Sequence, residues 1–318
     1  MENSFSREEV EIRGSTRLSA SLTMPAARRT KGPAVLVVAG SGDADRDGNV
    51  SGFKFKLDLY KELAEWITGQ GIAVLCYDKR GVGKSEGSSL DTGMWDLVDD
   101  VGACVRFLRE HPQIDPDRIF LLGHSEGCLL ISAYSARNPV AGIILLAGAV
   151  ETLEEALQRQ RTLLYGQLMN MKGIRGRLFR LLKIDRRGEK QAQRMLEKIR
   201  RTDKDVARIQ LVKMNVKWMR EHLAYNVRKD LPAIRCPVLA ITGSKDVQAD
   251  PGRLAELPDL VGGEVTWAII ENMNHPLKEA NDAISMTRIK ALYRDSASKP
   301  LHPELTETLA RWLQVHAW

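Results

Sequence analysis

A serine held between two glycines, at the point where one apolar run ends and another begins, is the feature that most constrains the fold of this chain. Residues 118–122 read Arg-Ile-Phe-Leu-Leu, the next five read Gly-His-Ser-Glu-Gly, and an apolar stretch follows at once. This G-x-S-x-G pattern is typical of a strand that turns sharply into a helix. We expect a side chain at Gly123 or Gly127 to collide with neighbouring backbone. The strained turn would present the Ser125 hydroxyl at the carboxyl end of a sheet.

Strand-like apolar runs alternate with amphipathic helical patterns on both sides of this turn. The strand-like runs are 34–39, 72–77, 118–122, 142–147, 237–243 and 264–270, and helical patterns include about 55–68, 94–110 and 303–315. Two further short runs near the start, 9–13 and 18–24, read as antiparallel strands. Alternation of this kind predicts βαβ units with right-handed crossovers. The sequence therefore predicts an α/β fold with a doubly wound, mostly parallel sheet.

The alternation stops between residues 151 and 230. Leucines recur there at helical spacing, and no strand-like run is evident for nearly eighty residues. The segment carries 21 Lys/Arg and 10 Asp/Glu, a net charge of +11, whereas the rest of the chain sums to −5. We expect residues 1–150 and 231–318 to form the core and residues 151–230 an inserted helical cap. A solvated surface is the simplest interpretation of its charge, and attraction to acidic substrates or anionic surfaces is the alternative.

Composition and cysteine placement narrow the class of protein. The chain has 318 residues, of which 43% are hydrophobic and 28% charged, as in ordinary globular proteins. The first twenty residues include several charges and no apolar segment, so we expect no secretory signal. The four cysteines fall in or beside apolar segments without metal-binding spacing, which predicts buried thiols in a reducing compartment. These observations favour a cytoplasmic protein without stable membrane insertion.

A serine hydroxyl is a poor nucleophile near neutral pH and needs a base that a carboxylate orients. In a sheet of this kind the acid and then the histidine follow the serine along the chain, each just past a strand end. Asp246 lies three residues past the end of one predicted strand, and His275 lies just past the next. We therefore predict Ser125 as nucleophile, His275 as base and Asp246 as the orienting acid.

Other residues compete for two of these roles. Asp250, four residues farther along the same loop, and Glu151, past an earlier strand, are alternative acids. His124 lies inside the turn, where we expect its side chain to point away from the side of the hydroxyl. The remaining histidines lie in a surface turn, in the cap or beside the last helix. Only His275 has the position that a base requires.

The tetrahedral intermediate of acyl transfer needs donors for its oxyanion. The backbone N–H of Glu126 stands at a helix N-terminus beside the nucleophile, where it can serve as one donor. Gly40-Ser41-Gly42 follows the first buried strand, and its glycines allow backbone to approach a substrate closely. We expect Ser41 to provide the second N–H, with Gly42 as the alternative, and Gly40 and Gly42 to border the substrate.

Two nearby patterns resemble ligand sites without completing them. Residues 43–48 match the first half of a calcium-binding loop, but Lys54 stands where a bidentate glutamate is required. Local salt bridges and turn formation explain the loop better. Gly81 and Gly83 complete no nucleotide-binding motif, and we expect Arg80 to brace loops at the sheet edge. The sequence thus predicts no metal, no cofactor and no nucleic-acid partner.

These segments together resemble the α/β-hydrolases, in the branch of bacterial carboxylesterases, serine aminopeptidases and monoacylglycerol lipases. The matching segments are 40–42, 45–49, 77–85, 123–127, 243–246 and 272–275. Ala39-Gly40 stands where many relatives have His-Gly. About twenty-five residues separate His275 from the last helix, more than the resemblance implies, and this stretch is predicted to form an extra helix.

The resemblance implies a serine hydrolase that cleaves small-molecule carboxylic esters through an acyl-enzyme. A peptidase that cleaves near a chain terminus, and an acyltransferase or thioesterase, would keep the same three residues. A ligand-binding protein without activity is a further alternative, against which the three residues argue. The sequence is compatible with a homo-oligomer and does not specify the substrate.

Overall fold

A computed structural model describes residues 5–26, 30–148, 150–209, 212–281 and 285–318. The described strands are β1 (Phe5–Arg13), β2 (Arg17–Pro25), β3 (Gly32–Val38), β4 (Ala73–Tyr77), β5 (Ile114–His124), β6 (Gly142–Leu146), β7 (Val206–Ile209), β8 (Val212–Asn215), β9 (Val238–Gly243) and β10 (Val265–Ile270). Eight of them form one sheet in the order β1-β2-β4-β3-β5-β6-β9-β10. Pairing is antiparallel from β1 to β4 and parallel from β4 to β10. The predicted mostly parallel sheet is confirmed.

Helices cover both faces of this sheet. The helices of the described residues are α1 (Leu59–Gly69), α2 (Met94–Glu110), α3 (Glu126–Ser135), α4 (Leu153–Met169), α5 (Gly173–Leu182), α6 (Ile184–Arg201), α7 (Val216–Ala224), α8 (Leu257–Leu260), α9 (Ile289–Ser296) and α10 (Pro303–His316). Alternate residues of β3 enter two separate apolar cores: Val35 packs with α1 and α10, and Leu36 with α2 and α3. Burial on both faces explains why β3 is a continuous apolar run.

One helix begins later than the sequence pattern indicated. We expected a helix from about residue 55, but α1 begins at Leu59. The Asn49 side-chain oxygen accepts the backbone N–H groups of Leu57 and Asp58, and Asp58 has a left-handed φ of 48°. These contacts keep residues 55–58 in the loop.

Strands β6 and β9 are neighbours in the sheet. Between them in sequence lie residues 151–230, which we call the inserted segment. This segment contains α4 to α7 and also a hairpin, in which β7 pairs antiparallel with β8. The expectation that it holds no strand was therefore wrong. The two strands have only four residues each, too few for the alternating pattern to stand out from the surrounding helices.

The stretch after His275 does contain the predicted extra helix, α9, which a short 3-10 turn precedes at Met286–Arg288. Within the described ranges, no helix combines the length and the apolar character needed to cross a bilayer.

Candidate active site

Ser125 occupies the sharp turn between β5 and α3. Its φ is 55° and its ψ −116°, a strained conformation for a residue with a side chain. A Cβ at Gly123 would lie 2.4 Å from the backbone of Gly127, and one at Gly127 would lie 2.2 Å from the Val38 carbonyl oxygen. The predicted crowding is therefore present, and only glycine fits on either side of the serine.

The His275 and Asp246 side chains are buried next to each other at the carboxyl ends of β9 and β10. His275 Nδ1 lies 2.8 Å from Asp246 Oδ2. The other carboxylate oxygen, Oδ1, accepts the backbone N–H groups of Gln248 at 2.7 Å and Ala249 at 2.9 Å. With Nδ1–H donated to the carboxylate, Nε2 is the ring nitrogen left to accept a proton.

The two alternative acids have other partners. Glu151 forms an ion pair with Arg159 at 2.8 Å and accepts the backbone N–H of Asp250 at 3.0 Å. The Asp250 carboxylate accepts the N–H of Gly252. Of the three candidate acids, the geometry thus favours Asp246 as the partner of the histidine.

Ser125 and His275 line one cavity of about 120 Å³. In the described part of the chain no hydrogen bond joins their side chains. Serine–histidine contacts are often long in unliganded hydrolytic sites and shorten when substrate binds. The shared cavity brings together the two side chains that the sequence separates by 150 positions.

Ser41, one of the two oxyanion donors proposed from sequence, borders the same space. Ser41 and Ser125 both line this cavity and a second, larger one. A Cβ at Gly40 would lie 3.2 Å from the Ser125 Cβ, so the loop after β3 passes close to the nucleophile. Gly42 has a φ of +91°, which favours glycine. The loop after β3 therefore lies next to the serine.

His124 takes part in a buried network that the sequence did not reveal. Gly40 N–H donates to the Tyr60 hydroxyl at 2.8 Å, this hydroxyl lies 3.1 Å from His124 Nδ1, and His124 Nε2 lies 2.9 Å from the His275 carbonyl oxygen. Burial, and then the neighbouring His275 ring, lower the pKa of His124 to about 3. A neutral His124 donates from Nε2 and accepts the Tyr60 proton at Nδ1. Its ring centroid lies 5.0 Å from that of His275, and His124 lines the same cavity as Ser125, so the expected orientation away from the site was wrong.

A second buried network surrounds the Glu126 carboxylate. Lys79 Nζ lies 3.3 Å from it and also donates to the Gly40 carbonyl oxygen at 2.6 Å. Trp218 Nε1 donates to the same carboxylate, and His222 Nε2 lies 3.0 Å from it. Burial raises the pKa of Glu126, but Lys79, His222 and Trp218 together outweigh it and hold the value at about 2. This carboxylate therefore connects the nucleophile turn to the Gly40 loop and to α7.

The larger cavity, of about 230 Å³, lies between the core and the inserted segment. Helix α4 contributes Leu153, Ala156 and Leu157, and α7 contributes Trp218 and Met219. A third cavity of about 200 Å³ lies beside the Gly40 loop and is lined by Ser41, Lys79 and Trp218, among others. Ser41 and Trp218 border both of these cavities, so space is available on two sides of the same loop.

The carboxylates that resemble a calcium loop are used locally. Asp45 Oδ1 accepts the backbone N–H groups of Asp47 and Asn49, and the Asp47 carboxylate pairs with Arg7. Arg80 forms an ion pair with Asp100 of α2 at 2.6 Å and donates to the Ser15 hydroxyl in the turn between β1 and β2, so it braces loops at the sheet edge, as expected.

The chain is similar to known proteins both in sequence and in fold. The model of the serine aminopeptidase S33 family matches residues 49–281. Esterase EstD from Thermotoga maritima is 29% identical over 161 residues, which cover 49% of this chain and 36% of EstD. Polyketide transferase ATR5 from Stachybotrys chlorohalonatus is 24% identical over 281 residues, which cover 85% of this chain and 90% of that protein.

Among solved structures, Est1E from Butyrivibrio proteoclasticus with bound ferulic acid superimposes with a TM-score of 0.63 at 18% identity. The superposition covers 96% of this chain and 98% of Est1E, and at this identity it establishes the fold. The chain spans between 23% and 36% of the length of the first three curated relatives.

Proposed function

The chain belongs to the serine aminopeptidase S33 family of α/β-hydrolases, and on this basis we propose that it cleaves carboxylic esters through Ser125, His275 and Asp246. The observation that carries the proposal is His275, which lines the same cavity as Ser125 and lies 2.8 Å from the buried Asp246 carboxylate. The similarity to esterase EstD supports an ester in preference to a peptide as substrate.

The proposed reaction has two halves. Ser125 Oγ attacks the ester carbonyl carbon while His275 Nε2 accepts its proton, and the Asp246 carboxylate stabilises the resulting imidazolium. The backbone N–H groups of Ser41 and Glu126 donate to the oxyanion. Neither N–H donates a hydrogen bond to another described residue, so both are available for this role. His275 then protonates the leaving alcohol, and water enters to release the acid by the same steps in reverse order.

The inserted segment is proposed to act as a cap that shapes the acyl site. Its helices α4 and α7 supply much of the wall of the 230 Å³ cavity next to Ser125. The apolar character of Leu153, Leu157 and Met219 favours a hydrocarbon group of the substrate there. Residence in the cytoplasm is proposed on the basis of the four cysteines, all of which are free.

Replacement of the nucleophile tests the proposal. Ser125→Ala should lower kcat for p-nitrophenyl esters by about 10⁴-fold or more and abolish labelling by a fluorophosphonate. Ser135→Ala is a suitable control because this residue lies in α3, away from the cavities, with a hydroxyl that has no described partner. Esterase activity that survives in the Ser125 variant would rule the mechanism out.

Acyl transfer is a second candidate, which the 281-residue match to a polyketide transferase favours. The 200 Å³ cavity beside Ser41 could hold an alcohol acceptor in place of water. Adding a series of alcohols during ester cleavage distinguishes the two. A transferase would form new esters faster than free acid at millimolar acceptor, whereas a hydrolase would release acid throughout.

A further inference from the structure

Helix α5 exposes its apolar side to solvent. Ile174, Leu178, Leu181 and Leu182 are 84%, 47%, 77% and 41% exposed. Their spacing of i, i+4, i+7 and i+8 places them on one face of the helix. Gly176, about half a turn from this stripe, is buried, and a Cβ there would lie 1.7 Å from the Met171 carbonyl oxygen. The glycine side of the helix therefore packs against the turn that follows α4, and the apolar stripe faces outward.

Positive charge surrounds this stripe. Residues 172–183 contain five Lys/Arg and no Asp/Glu. Because successive residues of an α-helix are rotated by about 100°, Arg175 lies on one side of the stripe and Arg177 on the other. Arg180 is held back by the Met169 carbonyl oxygen at 2.6 Å. The described ion pairs of the neighbouring helices use other arginines, such as Arg161 and Arg200. Arg175 and Arg177 are thus available to an external anion.

Charge distinguishes between the occupants that such a face could have. A second copy that docks through the same face in a twofold dimer would bring five cations against five, which is unfavourable. An anionic lipid surface complements both features, because the leucines can enter the acyl boundary while the flanking arginines reach the phosphates. We propose that α5 docks this protein reversibly on anionic phospholipid bilayers.

Docking of this kind would place the inserted segment next to the lipid. The last turn of α4 supplies the Met169 carbonyl that holds Arg180, and the first half of α4 lines the cavity beside Ser125. The docking proposal itself rests only on the surface of α5. It can be tested without any substrate, so its outcome is independent of the Ser125 test.

Sedimentation of the full chain with vesicles is the direct test. The wild type should bind vesicles of equal parts phosphatidylglycerol and phosphatidylcholine and should not bind pure phosphatidylcholine. Binding should weaken steeply at about 1 M salt, where the Debye length falls to about 3 Å. Arg175→Glu with Arg177→Glu should lower the partition coefficient by more than about 25-fold, since each basic residue near such a surface contributes about fivefold. Ile174→Ser with Leu181→Ser should abolish binding.

The matched control makes one arginine-to-glutamate and one aliphatic-to-serine replacement on α10, at exposed Arg311 and at Val315, which is 74% exposed. Arg311→Glu with Val315→Ser should bind as the wild type does. The proposal is overturned if the wild type binds neither vesicle, if it binds both equally, or if the α5 variants bind like the control. It is also overturned if sedimentation velocity finds a dimer that Ile174→Ser with Leu181→Ser dissociates, since the face would then join two copies.

Discussion

A single side chain, His124, holds three parts of the candidate site in register. It contacts the Tyr60 hydroxyl through one ring nitrogen and the His275 backbone through the other, and Tyr60 in turn accepts the Gly40 N–H. Burial raises the pKa of Tyr60, so its hydroxyl stays protonated and can donate. Each polar atom of Tyr60 and His124 in this network has a partner only while His124 is neutral. The network is therefore sensitive to acid.

The pKa of His124 predicts a loss of stability between pH 7 and pH 5. Its folded value of about 3 lies below the ordinary value of 6.5, so the unfolded chain binds the proton first and acid favours unfolding. At pH 5 this costs about 2 kcal/mol of unfolding free energy. Glu126, with a folded pKa of about 2, contributes its stabilisation above about pH 4.5 and loses it only below that value.

Urea titrations at the two pH values measure this difference. The free energy of unfolding should fall between pH 7 and pH 5, and His124→Gln should make this fall smaller by roughly 2 kcal/mol. This holds whatever the stability of the variant at pH 7. His111→Gln, at the surface turn before β5, should leave most of the drop in place. An unchanged drop in the His124 variant would mean that this histidine is not neutral in the folded chain.

At the scale of elements, the turn from β5 to α3 is fixed by how closely α3 approaches β3. The Val38 carbonyl lies where a side chain at Gly127 would have to go, and the backbone of Gly127 lies where one at Gly123 would. Both obstacles are backbone atoms, which cannot rotate away as a side chain can. The strained φ of Ser125 is thus held by the packing of the first turn of α3 on the neighbouring strand.

Gly127→Ala should consequently lower the free energy of unfolding by about 1–3 kcal/mol and reduce esterase activity, because the new methyl group displaces α3 from β3. Gly166→Ala provides the contrast, since a Cβ at this position in α4 meets nothing within 4 Å. It should raise stability by up to about 1 kcal/mol. Urea denaturation of both variants measures the two free energies of unfolding. If Gly127→Ala and Gly166→Ala change this free energy equally, the close approach of backbone at Gly127 is unimportant.

At the scale of the whole molecule, the larger cavity exists only because the inserted segment lies over the core. Core residues next to Ser125 form its floor, and α4 and α7 form much of its wall. The contact of Trp218 with Glu126 joins the two parts at the nucleophile turn. The size of the acyl group accepted should therefore be set by residues of the inserted segment.

Ala156→Phe tests this relation by filling part of the cavity from α4. We expect kcat/KM for octanoyl esters to fall by at least about 10-fold relative to acetyl esters. The reason is that a long acyl group that no longer fits displaces the ester carbonyl from the nucleophile, and small displacements slow the reaction strongly. Gln158→Phe adds the same ring on the exposed side of α4 and should leave the chain-length profile unchanged. A profile that is the same in both variants would exclude this cavity as the acyl site.

The sequence by itself determined the strand alternation, the serine turn and the positions of Asp246 and His275. These follow from local rules: apolar periodicity, steric limits on glycine turns, and the chain order that a parallel sheet imposes on residues at its strand ends. The β7–β8 hairpin was not predicted because strands of four residues leave a weak signal. The late start of α1 was not predicted because the Asn49 side chain that holds residues 57 and 58 in the loop follows no periodic pattern.

Only the tertiary structure decided which distant side chains meet. His124 finds Tyr60 sixty-four residues away, and Glu126 meets Trp218 across ninety-two. No periodicity records such pairs, since each is selected by the close packing of elements that are remote in sequence and by the cost of leaving a buried polar group without a partner.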